Sequence, residues 1–438
     1  MALKELPIHP LEFTEYPEQL IQRCIARYGD AFAYESGHGL VYVFNHPDQV
    51  DAINRSANFV RTAVMTGFLG YGLLTNEGDY WQKQRRTAQP VFHKHCMGGF
   101  VDIINDATSK LVTEWQAIAG TSGGVVEDCS MPIRFCTMEV VMRALFSTDI
   151  SAVIKDWDHA SQFLVNGVNP AFCSALNKVP KPNDINLSTG TPKHAKYLDK
   201  QIYEIISKRR SESVPPRDLL TLLIHSEDKV TGESLSDLQI RDEIATMLMA
   251  GHETLAVSLG WAICELASQP VLRDQLTTEV DTVLQGEIPQ LEHLTKMPKL
   301  VAFLDEVLRV YPSIPFIFRR AVVTDTIDGY TIPADGLILI SPYTLHRHKD
   351  FWPQPETFNI DNFSHGKNKQ RHNCAYMPFT TGKHTCIGKE FALTEGKLIL
   401  AHILLKIDIL GLSGAKPVVK SGLTLQAESP ISLKISRR

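Results

Sequence analysis

The sequence predicts a mainly α protein with small β-sheets (α+β), and three observations carry that prediction. Apolar residues recur with the helical period from Ser236 to Ala267, a length typical of helices and not of strands. The apolar stretches Leu300 to Tyr311 and Lys389 to Ile407 predict two further buried helices. Strand signals are short: Leu40 to Phe44 is apolar and rich in valine, and the turn Asp328-Gly329 separates two short strand-like segments.

The composition is that of an ordinary globular protein with a large core. Hydrophobic residues make up 44% of the 438 residues and charged residues 21%. No repeat or clean linker divides the chain, so residues 1–438 are expected to form a single domain. The net charge of −5 argues against nucleic acid as the main partner. The eight cysteines are scattered, unlike those of a secreted disulfide scaffold, which favours a reducing cytoplasm.

No membrane span is expected from the sequence. The stretch Met1 to Pro7 lacks the apolar core of a signal peptide, and no run approaches the roughly 18 apolar residues of a span. The apolar run Leu398 to Leu405 is short and is interrupted by His402, so it is interpreted as part of a buried helix.

The long predicted helix has clear end signals and an irregular middle. Ser236 and Gln239 form a capping box at its start, and Pro270 follows its end. Ala250-Gly251-His252-Glu253-Thr254 interrupts the apolar period in the middle, and a mid-helix glycine costs about 1 kcal/mol relative to alanine. Packing against a neighbour could require the glycine, and Glu253 could simply be solvated. The segment alone leaves that interpretation open.

Cys386 lies between a glycine-rich turn and the start of the helix at Lys389. A helix N-terminus carries partial positive charge and unpaired N–H donors, which favour a thiolate. Gly382 and Gly388 allow backbone amides to approach the sulfur, and Phe379 can shield it from water. A shielded thiolate in this position suits a haem-iron ligand.

Two other interpretations of Cys386 remain open from the residues alone. A cysteine at a helix start is often buried and inert. His372-Asn373-Cys374 and His384-Thr385-Cys386 also form two His-x-Cys pairs that a zinc ion could use. Structural zinc sites usually have two to four residues between paired cysteines, so haem is favoured over zinc.

The stretch Phe379 to Gly388 has the pattern Phe-x-x-Gly-x-(Arg or His)-x-Cys-x-Gly, which resembles the haem-binding signature of the cytochromes P-450. The resemblance extends from about Leu40 to the end of the chain, with the main motifs in order. It implies the cytochrome P-450 fold, with haem between a long central helix and the helix that follows the cysteine. A β-rich lobe is then expected at about 30–60 and 312–345, with an α-rich core elsewhere.

The resemblance assigns the residues that hold haem b. Cys386 becomes the axial thiolate on the iron, and the propionates fall to four side chains: Trp81, Arg85, Arg320 and His384. Arg320 is chosen because it precedes Asp325 by five residues, and Arg319 is the less favoured neighbour. Phe379, Gly388 and Ala250 are expected to lie against the haem. From the residues alone, Trp81 and Arg85 could equally stack on a surface.

Two further motifs match the family. Ala250-Gly251-x-Glu253-Thr254 resembles its oxygen-activation motif, which implies a local kink and makes Glu253 and Thr254 the catalytic residues that supply protons. Glu306 and Arg309 match the buried Glu-x-x-Arg pair. Asn362 stands where the family usually has an arginine that completes that structural network, which puts the geometry of the network in doubt.

The resemblance also outlines a substrate pocket. Six residues are expected to line it: Phe68, Leu74, Ala250, Thr254, Ile314 and Leu423. Because most of these side chains are apolar, we expect a lipophilic substrate such as a fatty acid, a terpenoid or another natural product. The stretch Phe163 to Phe172, which flanks the Pro/Asn-rich stretch Pro180 to Pro192, is expected to be part of a mobile lid.

The expected function is that of a soluble, cytoplasmic, bacterial-type monooxygenase that uses O2 and acts as a monomer. Electrons would come from NAD(P)H through a separate ferredoxin or flavodoxin with its reductase, because no such domain fits in the chain. Lysines and arginines near Trp81 and Cys386 could form a basic docking face, or could be scattered solvated charges. Two rival functions are a peroxide-dependent peroxygenase of the same fold and a non-catalytic haem-binding gas sensor.

Overall fold

The structure is a computed structural model that describes residues 5–7, 16–36, 39–62, 69–121, 123–151, 154–158, 193–227, 232, 234–364 and 370–438. Its helices are α1 (Pro17–Tyr28), α2 (Pro47–Arg55), α3 (Gly78–Ala88), α4 (Val101–Ala119), α5 (Ser130–Phe146), α6 (Lys193–Ser211), α7 (Leu219–Ile224), α8 (Asp237–Ser268), α9 (Pro270–Leu284), α10 (Leu291–Leu294), α11 (Pro298–Val310), α12 (Pro342–Leu345) and α13 (Lys389–Lys406). Phe68 and the predicted lid stretch Phe163 to Phe172 lie outside the described residues.

The strands form one larger sheet and three small ones. They are β1 (Glu5–Pro7), β2 (Ala31–Glu35), β3 (Leu40–Phe44), β4 (Phe59–Arg61), β5 (Val125–Val126), β6 (Ile317–Ala321), β7 (Asp325–Ile327), β8 (Tyr330–Ile332), β9 (Leu337–Ile340), β10 (Ile407–Leu412), β11 (Val419–Ser421), β12 (Leu425–Ala427) and β13 (Leu433–Arg437). The six-stranded sheet has the order β1-β2-β3-β9-β6-β4. The mainly α class with small sheets, predicted from the sequence, is confirmed.

Helix α8 runs through the centre of the α-rich part. The predicted capping box is present, since the Ser236 side chain accepts from the backbone of Gln239 and the Gln239 side chain accepts from the backbone of Ser236. The helix is long and apolar enough to cross a membrane, with a mean hydropathy of 1.2, which the sequence analysis did not anticipate. Because 78% of that apolar window is buried by the rest of the protein, α8 is a core helix.

The middle of α8 is an unbroken helix through the Ala250 to Thr254 motif, so the expected kink does not appear as a break. Gly251 lies against Val141 of α5, and a Cβ atom on Gly251 would stand 3.0 Å from a methyl carbon of Val141. Close packing of the two helices therefore accounts for the glycine, as the sequence-based alternative allowed.

The predicted ends of the other helices are close to the observed ones. Helix α11 begins at Pro298, two residues before the predicted start, because proline suits the first helical turn. Helix α13 begins at Lys389 as predicted, directly after Gly388. Side chains of α13 belong to the largest core cluster of the protein, together with side chains of α4, α5, α8 and α11. The segment that carries Cys386 is therefore anchored to the main core.

Candidate functional site

The cysteine loop holds Cys386 at the start of α13. Its backbone N–H donates to the carbonyl of Phe379 at 2.9 Å, and Gly382 adopts a φ of +72°, which glycine tolerates without strain. The Cys386 side chain is exposed, yet it lies deep enough that burial raises the pKa of its thiol. The Gly388 backbone N–H and the charge of Arg85 act in the opposite direction. A sulfur that is both exposed and deep faces an internal space.

Next to the cysteine loop lies a buried group of polar side chains around His384. The His384 ring centroid is 4.5 Å from that of buried Trp81. Its Nε2 lies 3.0 Å from Glu77 Oε1, and its Nδ1 has no hydrogen-bond partner among the described residues. Burial lowers the pKa of His384, as does the charge of Arg61. The Nδ1 of this ring is therefore a buried polar atom for which the described residues supply no partner.

Glu77 is the acid in this group. Burial alone would raise the pKa of Glu77, but hydrogen bonds from His384 and from the Arg61 backbone, with the charges of both residues, lower it to about 2. The Arg61 Nε lies 3.3 Å from Glu77 Oε1, and the Arg61 guanidinium lies 5.5 Å from the centroid of the Trp81 ring. Glu77 is therefore ionised at neutral pH and offsets part of the positive charge.

Arg319 belongs to the same group, whereas Arg320 does not. Strands β4 and β6 are antiparallel, and their register places Arg61 directly opposite Arg319, so the two side chains share one face of the sheet. Burial and the charge of Arg61 lower the pKa of Arg319 to about 10. Arg320 points to the other face, where its Nη1 donates to Asp335 Oδ1 at 2.6 Å. Two like charges opposite each other are unfavourable unless an anion lies between them.

Arg85 connects α3 to the cysteine loop. Its Nη1 donates to the carbonyl of Thr385 at 2.8 Å, one residue before the cysteine. The Arg85 charge also acts on Cys386, and burial lowers the pKa of Arg85. Of the four predicted propionate residues, the structure thus brings Trp81, Arg85 and His384 to the cysteine loop and leaves Arg320 outside.

On α8, an accessible patch interrupts an otherwise buried helix. Ala250 is exposed and Thr254 is half-buried, although the ten residues before Ala250 are all buried. The Thr254 hydroxyl donates to the Ala250 carbonyl at 2.8 Å, and the Ser313 hydroxyl donates to the Thr254 carbonyl at 2.8 Å. A core helix with an exposed turn in its middle faces an internal space on that side.

Glu253 is buried and hydrogen-bonded, so it is not the solvated carboxylate that the sequence left open. Its side chain is 2% exposed. Gln426 Nε2 donates to Glu253 Oε1 at 3.1 Å, and the Thr424 hydroxyl donates to the same oxygen at 3.4 Å. Both donors come from the C-terminal hairpin β11–β12 region, more than 170 residues away along the chain.

The Glu306–Arg309 pair is completely buried and bidentate. Both N···O distances are 2.7 Å, and both side chains are 0% exposed. The Asn362 amide donates to both carboxylate oxygens of Glu306, at 3.2 and 3.3 Å, and the Asn359 backbone N–H donates at 2.6 Å. Asn362 therefore takes part in the network through its amide, without adding a charge. An ion pair at this depth depends on such additional hydrogen bonds.

The predicted pocket residues lie in different surroundings. Leu74 is 39% exposed, while its neighbour Leu73 is buried. Leu423 lies at the tip of the β11–β12 hairpin and Ile314 packs against the core of the larger sheet. The loop before α3 lies very close to α8, since a Cβ atom on Gly72 would stand 2.0 Å from Thr246 Oγ1.

Zinc is not supported by the arrangement of ligands. No group of three or more His, Cys, Asp or Glu side chains in the described part of the chain could hold a metal ion. His372 instead uses Nδ1 to accept from the Cys374 backbone N–H at 3.1 Å, so that His-x-Cys pair is a local turn.

Sequence reasoning did not single out Arg61 and Glu77, and it ranked Arg319 below Arg320. The sequence does not mark Arg61 as a site residue, because an arginine at the end of a short strand is usually a surface residue. The period of two in a strand shows that Arg319 and Arg320 face opposite ways, but which of them faces inward depends on the pairing with β4.

Comparisons with known proteins place the whole chain in one family and one fold. The family model Cytochrome P450 matches residues 7–435. The cyclooctat-9-en-7-ol 5-monooxygenase of Streptomyces melanosporofaciens is 28% identical over 403 residues, which cover 90% of this chain and 85% of that protein. Leukotriene-B4 omega-hydroxylase 3 of Mus musculus is 28% identical over 96% of this chain and 85% of its own length. The solved haem domain of cytochrome P450DA has the same fold, with a TM-score of 0.88 at 24% identity over 100% of this chain and 98% of that one.

Proposed function

The chain belongs to the cytochrome P450 family of haem- and O2-dependent monooxygenases, and from this premise we propose that it hydroxylates or epoxidises a lipophilic molecule. The observation that carries the proposal is the cysteine loop, where an accessible sulfur faces an internal space beside buried cations. Besides the residues predicted around Cys386, this geometry includes two arginines, Arg61 and Arg319, that were not assigned to the haem from the sequence.

The residues present fit a haem b group. Two propionates need buried donors, and His384 offers an Nδ1 without a partner among the described residues, next to Trp81, Arg85 and the paired guanidiniums of Arg61 and Arg319. The bound haem would supply the dioxygen activation and the C–H oxidation. We assign Arg319 rather than Arg320 to a propionate, because Arg320 is neutralised by Asp335 on the opposite face of the sheet.

Cys386 is assigned as the residue whose thiolate would hold the haem iron. Burial disfavours the ionised form of the Cys386 thiol, and the positive charge of a bound haem iron would hold the sulfur as thiolate. The helix start and the Gly388 N–H reduce the cost of ionising the buried thiol.

Thr254 and Glu253 are assigned to proton delivery. The Thr254 hydroxyl is held at the accessible turn of α8 by its bond to the Ala250 carbonyl, which leaves its oxygen able to accept from water or from a reacting group. Glu253 precedes Thr254 by one residue and is the acid of the pair. An acid and an alcohol in a mostly dry site are suited to moving protons one at a time.

The substrate class follows from the lining residues and the relatives. Leu74, Ile314 and Leu423 are apolar, and the two relatives named above are called a monooxygenase of cyclooctat-9-en-7-ol and an omega-hydroxylase of leukotriene B4. A terpenoid or a fatty acid is therefore the substrate class that we propose. Phe68, which the sequence also predicts to line the pocket, lies outside the described part of the chain.

Electrons would come from NAD(P)H through a separate ferredoxin or flavodoxin. Four basic side chains near the cysteine loop are exposed: Arg86, Lys94, Lys383 and Lys389. The segment before α4 packs against α13 through Phe100 and Phe391, whose ring centroids are 5.2 Å apart. The segment that contains Lys94 is therefore adjacent to the helix that begins with Lys389. We define these four residues as the basic face. The cysteines that the structure describes are all free, which is consistent with a cytoplasmic protein.

Replacing the sulfur of Cys386 tests the proposed function. Reduced wild-type protein with carbon monoxide should show the red-shifted absorption band peculiar to thiolate-bound haem, and Cys386→Ser should lose it. Cys96→Ser, at a half-buried cysteine of the segment before α4, should keep it and serves as the matched control. Wild-type protein that shows no such band, or that purifies without haem from haem-replete cells, would overturn the proposal.

Turnover distinguishes the monooxygenase from a peroxygenase. The purified protein with NADPH, a ferredoxin and its reductase should convert a terpenoid or fatty-acid panel to oxygenated products. Product formed only when hydrogen peroxide is supplied would favour the peroxygenase instead.

A further inference from the structure

Residues 69–77, which lie between β4 and α3, cross α8 with their backbone against the helix, and we call this segment the strap. A Cβ atom on Gly70 would overlap the Asp242 carboxylate, and a Cβ atom on Gly72 would overlap Thr246 Oγ1. Only glycine leaves room at these two positions. The sequence of the strap is therefore matched to a close approach to α8.

The strap borders the internal space on the accessible side of α8. Thr246 precedes the exposed Ala250 by four residues, so the two lie on the same face of the helix, one turn apart. In the strap, Leu73 is buried in the main core, whereas its neighbour Leu74 is 39% exposed. Displacing the strap from α8 would therefore open the internal space next to Ala250.

Two neighbouring acids of α8, Asp242 and Glu243, hold the strap through its backbone, and we call them the acid pair. The Tyr71 N–H donates to Asp242 Oδ2 at 2.8 Å. The Leu73 N–H donates to Glu243 Oε2 at 3.2 Å. Both acids are buried, at 3% and 2% exposure, so the two hydrogen bonds lie away from solvent. On its α8 side the strap is therefore fastened by the acid pair.

The two members of the acid pair differ in how well they are satisfied. Arg241 Nη1 donates to Asp242 Oδ1 at 2.9 Å, and the same guanidinium pairs with Asp199 of α6. Glu243 Oε1 is buried and has no hydrogen-bond partner among the described residues. Burial, together with the charge of Asp242, raises the pKa of Glu243 to about 8, so this side chain is largely neutral at pH 7. Lifting the strap would give both Glu243 oxygens access to water, which makes this fastening the weaker one.

The other side of the strap is held by Arg61. Its guanidinium donates to the carbonyls of Leu73, Leu74 and Asn76, each at 3.0 Å. Its Nε also lies 3.3 Å from Glu77 Oε1. Arg61 therefore holds four residues of the strap with a charged group, whereas the acid pair holds two backbone N–H groups. When the strap moves, its α8 side should release first.

We propose that Asp242 and Glu243 are positioning residues that hold the strap closed over the internal space, and that the strap opens this space by leaving α8 while its Arg61 side stays in place. The inference rests on the proposed function only in taking the internal space as the substrate pocket. Arg61 lies beside the buried group around His384. Opening on the α8 side therefore leaves the residues that would hold haem where they are.

Protonation of Glu243 favours the closed strap. With the strap open, Glu243 is in water and titrates near its ordinary pKa of 4.5, whereas with the strap closed its pKa is about 8. The closed state therefore binds the proton more tightly, and this advantage is complete below pH 4.5 and is lost as the pH rises through 8. Between these values the ratio of open to closed strap should rise by about tenfold per pH unit.

Other charged and titratable groups face the acid pair from the neighbouring elements. Arg241 adjoins it on α8 and carries the ion pair with Asp199 of α6. Tyr71 of the strap and Tyr80 of α3 lie nearby, and burial raises the pKa of both phenols. Burial also raises the pKa of Asp242, so its protonation favours the closed strap in the same way. The part of the pH dependence that belongs to Glu243 is the part that a neutral side chain at this position removes.

Hydrogen exchange of the strap amides tests the fastening without any measurement of turnover. In the haem-loaded protein, the double variant Asp242→Ala/Glu243→Ala should raise the exchange rates of the Tyr71 and Leu73 amides by about tenfold, because both acceptors are gone. Asp237→Ala, at an exposed acid in the first turn of α8, is the matched control and should leave both rates unchanged. Strap exchange equal to wild type in the double variant, or an equal rise throughout the protein, would overturn the proposal.

Glu243→Gln tests the sign of the pH dependence while it preserves the shape of the side chain. In wild-type protein the exchange rate of the Leu73 amide, corrected for its intrinsic dependence on hydroxide, should rise by about tenfold per unit up to pH 8 and level off above it. Glu243→Gln should lose this rise, because glutamine does not titrate. The same slope in Glu243→Gln and wild type would show that Glu243 does not control the release of the strap.

A lipophilic iron ligand shows whether the opening leads into the pocket. The association rate constant of 4-phenylimidazole, followed by the shift of the haem absorption, should rise in the double variant by the same factor as strap exchange, since both measure the open fraction. An unchanged association rate would overturn the strap as an entrance.

The carbon monoxide band separates the two proposals. The double variant should keep the band, because the Arg61 side of the strap stays in place, and loss of the band in this variant would overturn the fixed Arg61 side. Wild-type protein without the band would overturn the proposed function itself. Hydrogen exchange would still test the strap in that case, since the exchange of its amides does not depend on turnover.

Discussion

Neighbouring residues in a strand can have opposite roles, as Arg319 and Arg320 show. Counting residues back from Asp325 selects Arg320, but the antiparallel pairing of β4 and β6 turns Arg319 to the buried face beside Arg61. Arg320 is compensated by Asp335, so it carries little uncompensated charge. A one-residue difference in a strand exchanges the buried face for the exposed one.

The first prediction compares these two arginines. Arg319→Leu should weaken haem retention markedly, because it removes a buried cation from the group around His384, whereas Arg320→Leu should retain haem as wild type does. Haem content after gel filtration and the rate of haem transfer to apomyoglobin measure the effect. Equal haem loss in the two variants, or greater loss in Arg320→Leu, would contradict the assignment.

Asn362 shows that an amide can take part in a buried network where an arginine is usual. The sequence raised the doubt that the buried pair lacks its usual arginine, yet the Asn362 amide donates to both oxygens of Glu306. Arg371 lies close by and donates to the Asn362 carbonyl at 3.2 Å, so a guanidinium stands next to the network from another position. Hydrogen-bond donors from several positions can satisfy one buried carboxylate.

At the scale of elements, His346 joins three segments around the cysteine loop. It follows α12, its Nδ1 lies 3.2 Å from the Arg309 carbonyl in α11, and its Nε2 accepts from the Met377 backbone N–H at 2.9 Å. Nδ1 therefore carries the ring proton. Protonation would place a second N–H against the Met377 donor, and burial lowers the pKa of His346 to about 3.

The second prediction is a pH dependence of stability from His346. The unfolded chain binds a proton near the ordinary histidine pKa of 6.5, but the folded chain does so only near 3. The contribution is therefore complete above pH 6.5 and is lost as pH falls from 6.5 toward 3, by about 1.4 kcal/mol per pH unit. Urea unfolding at several pH values measures the slope.

His346→Gln should reduce that slope, since glutamine does not titrate. His225→Gln, at an exposed histidine after α7, is the matched control and should keep the wild-type slope. A slope that is the same in His346→Gln as in wild type would show that other groups cause the acid sensitivity.

The net charge of the whole molecule is negative, whereas the exposed side chains of the basic face are positive. The protein carries −5 overall, yet the basic face of Arg86, Lys94, Lys383 and Lys389 surrounds the cysteine loop. A local patch of this kind acts within about a Debye length, roughly 8 Å at physiological salt, so the total charge does not cancel it. An acidic electron carrier is the partner that such a face favours.

The third prediction is a charge reversal on this face. Lys94→Glu with Lys389→Glu should weaken binding of an acidic ferredoxin by about tenfold and reduce the salt dependence of the first electron transfer, because attractive charges become repulsive. Lys420→Glu on the β11 strand, away from the basic face, should have little effect. Stopped-flow reduction across a salt series measures both, and unchanged binding in the double variant would argue for another docking surface.

The sequence by itself determined the features that depend on neighbouring residues along the chain. These include the capping box of α8, the helix that starts after Gly388, the strand β3, and the placing of Cys386 at a helix start. Each follows from local hydrogen bonding and from the apolar period, and these act over a few residues. The mainly α class and the cysteine motif could therefore be predicted.

Only the tertiary structure decided which distant groups meet. The pairing of β4 with β6 determines which arginine is buried, and the hairpin at β12 determines where Glu253 points, across 173 residues of chain. Strand register and helix packing arise from the fit of whole faces, and residue spacing along the chain does not encode them. For that reason Arg61 and Glu77 became functional candidates only once the fold was known.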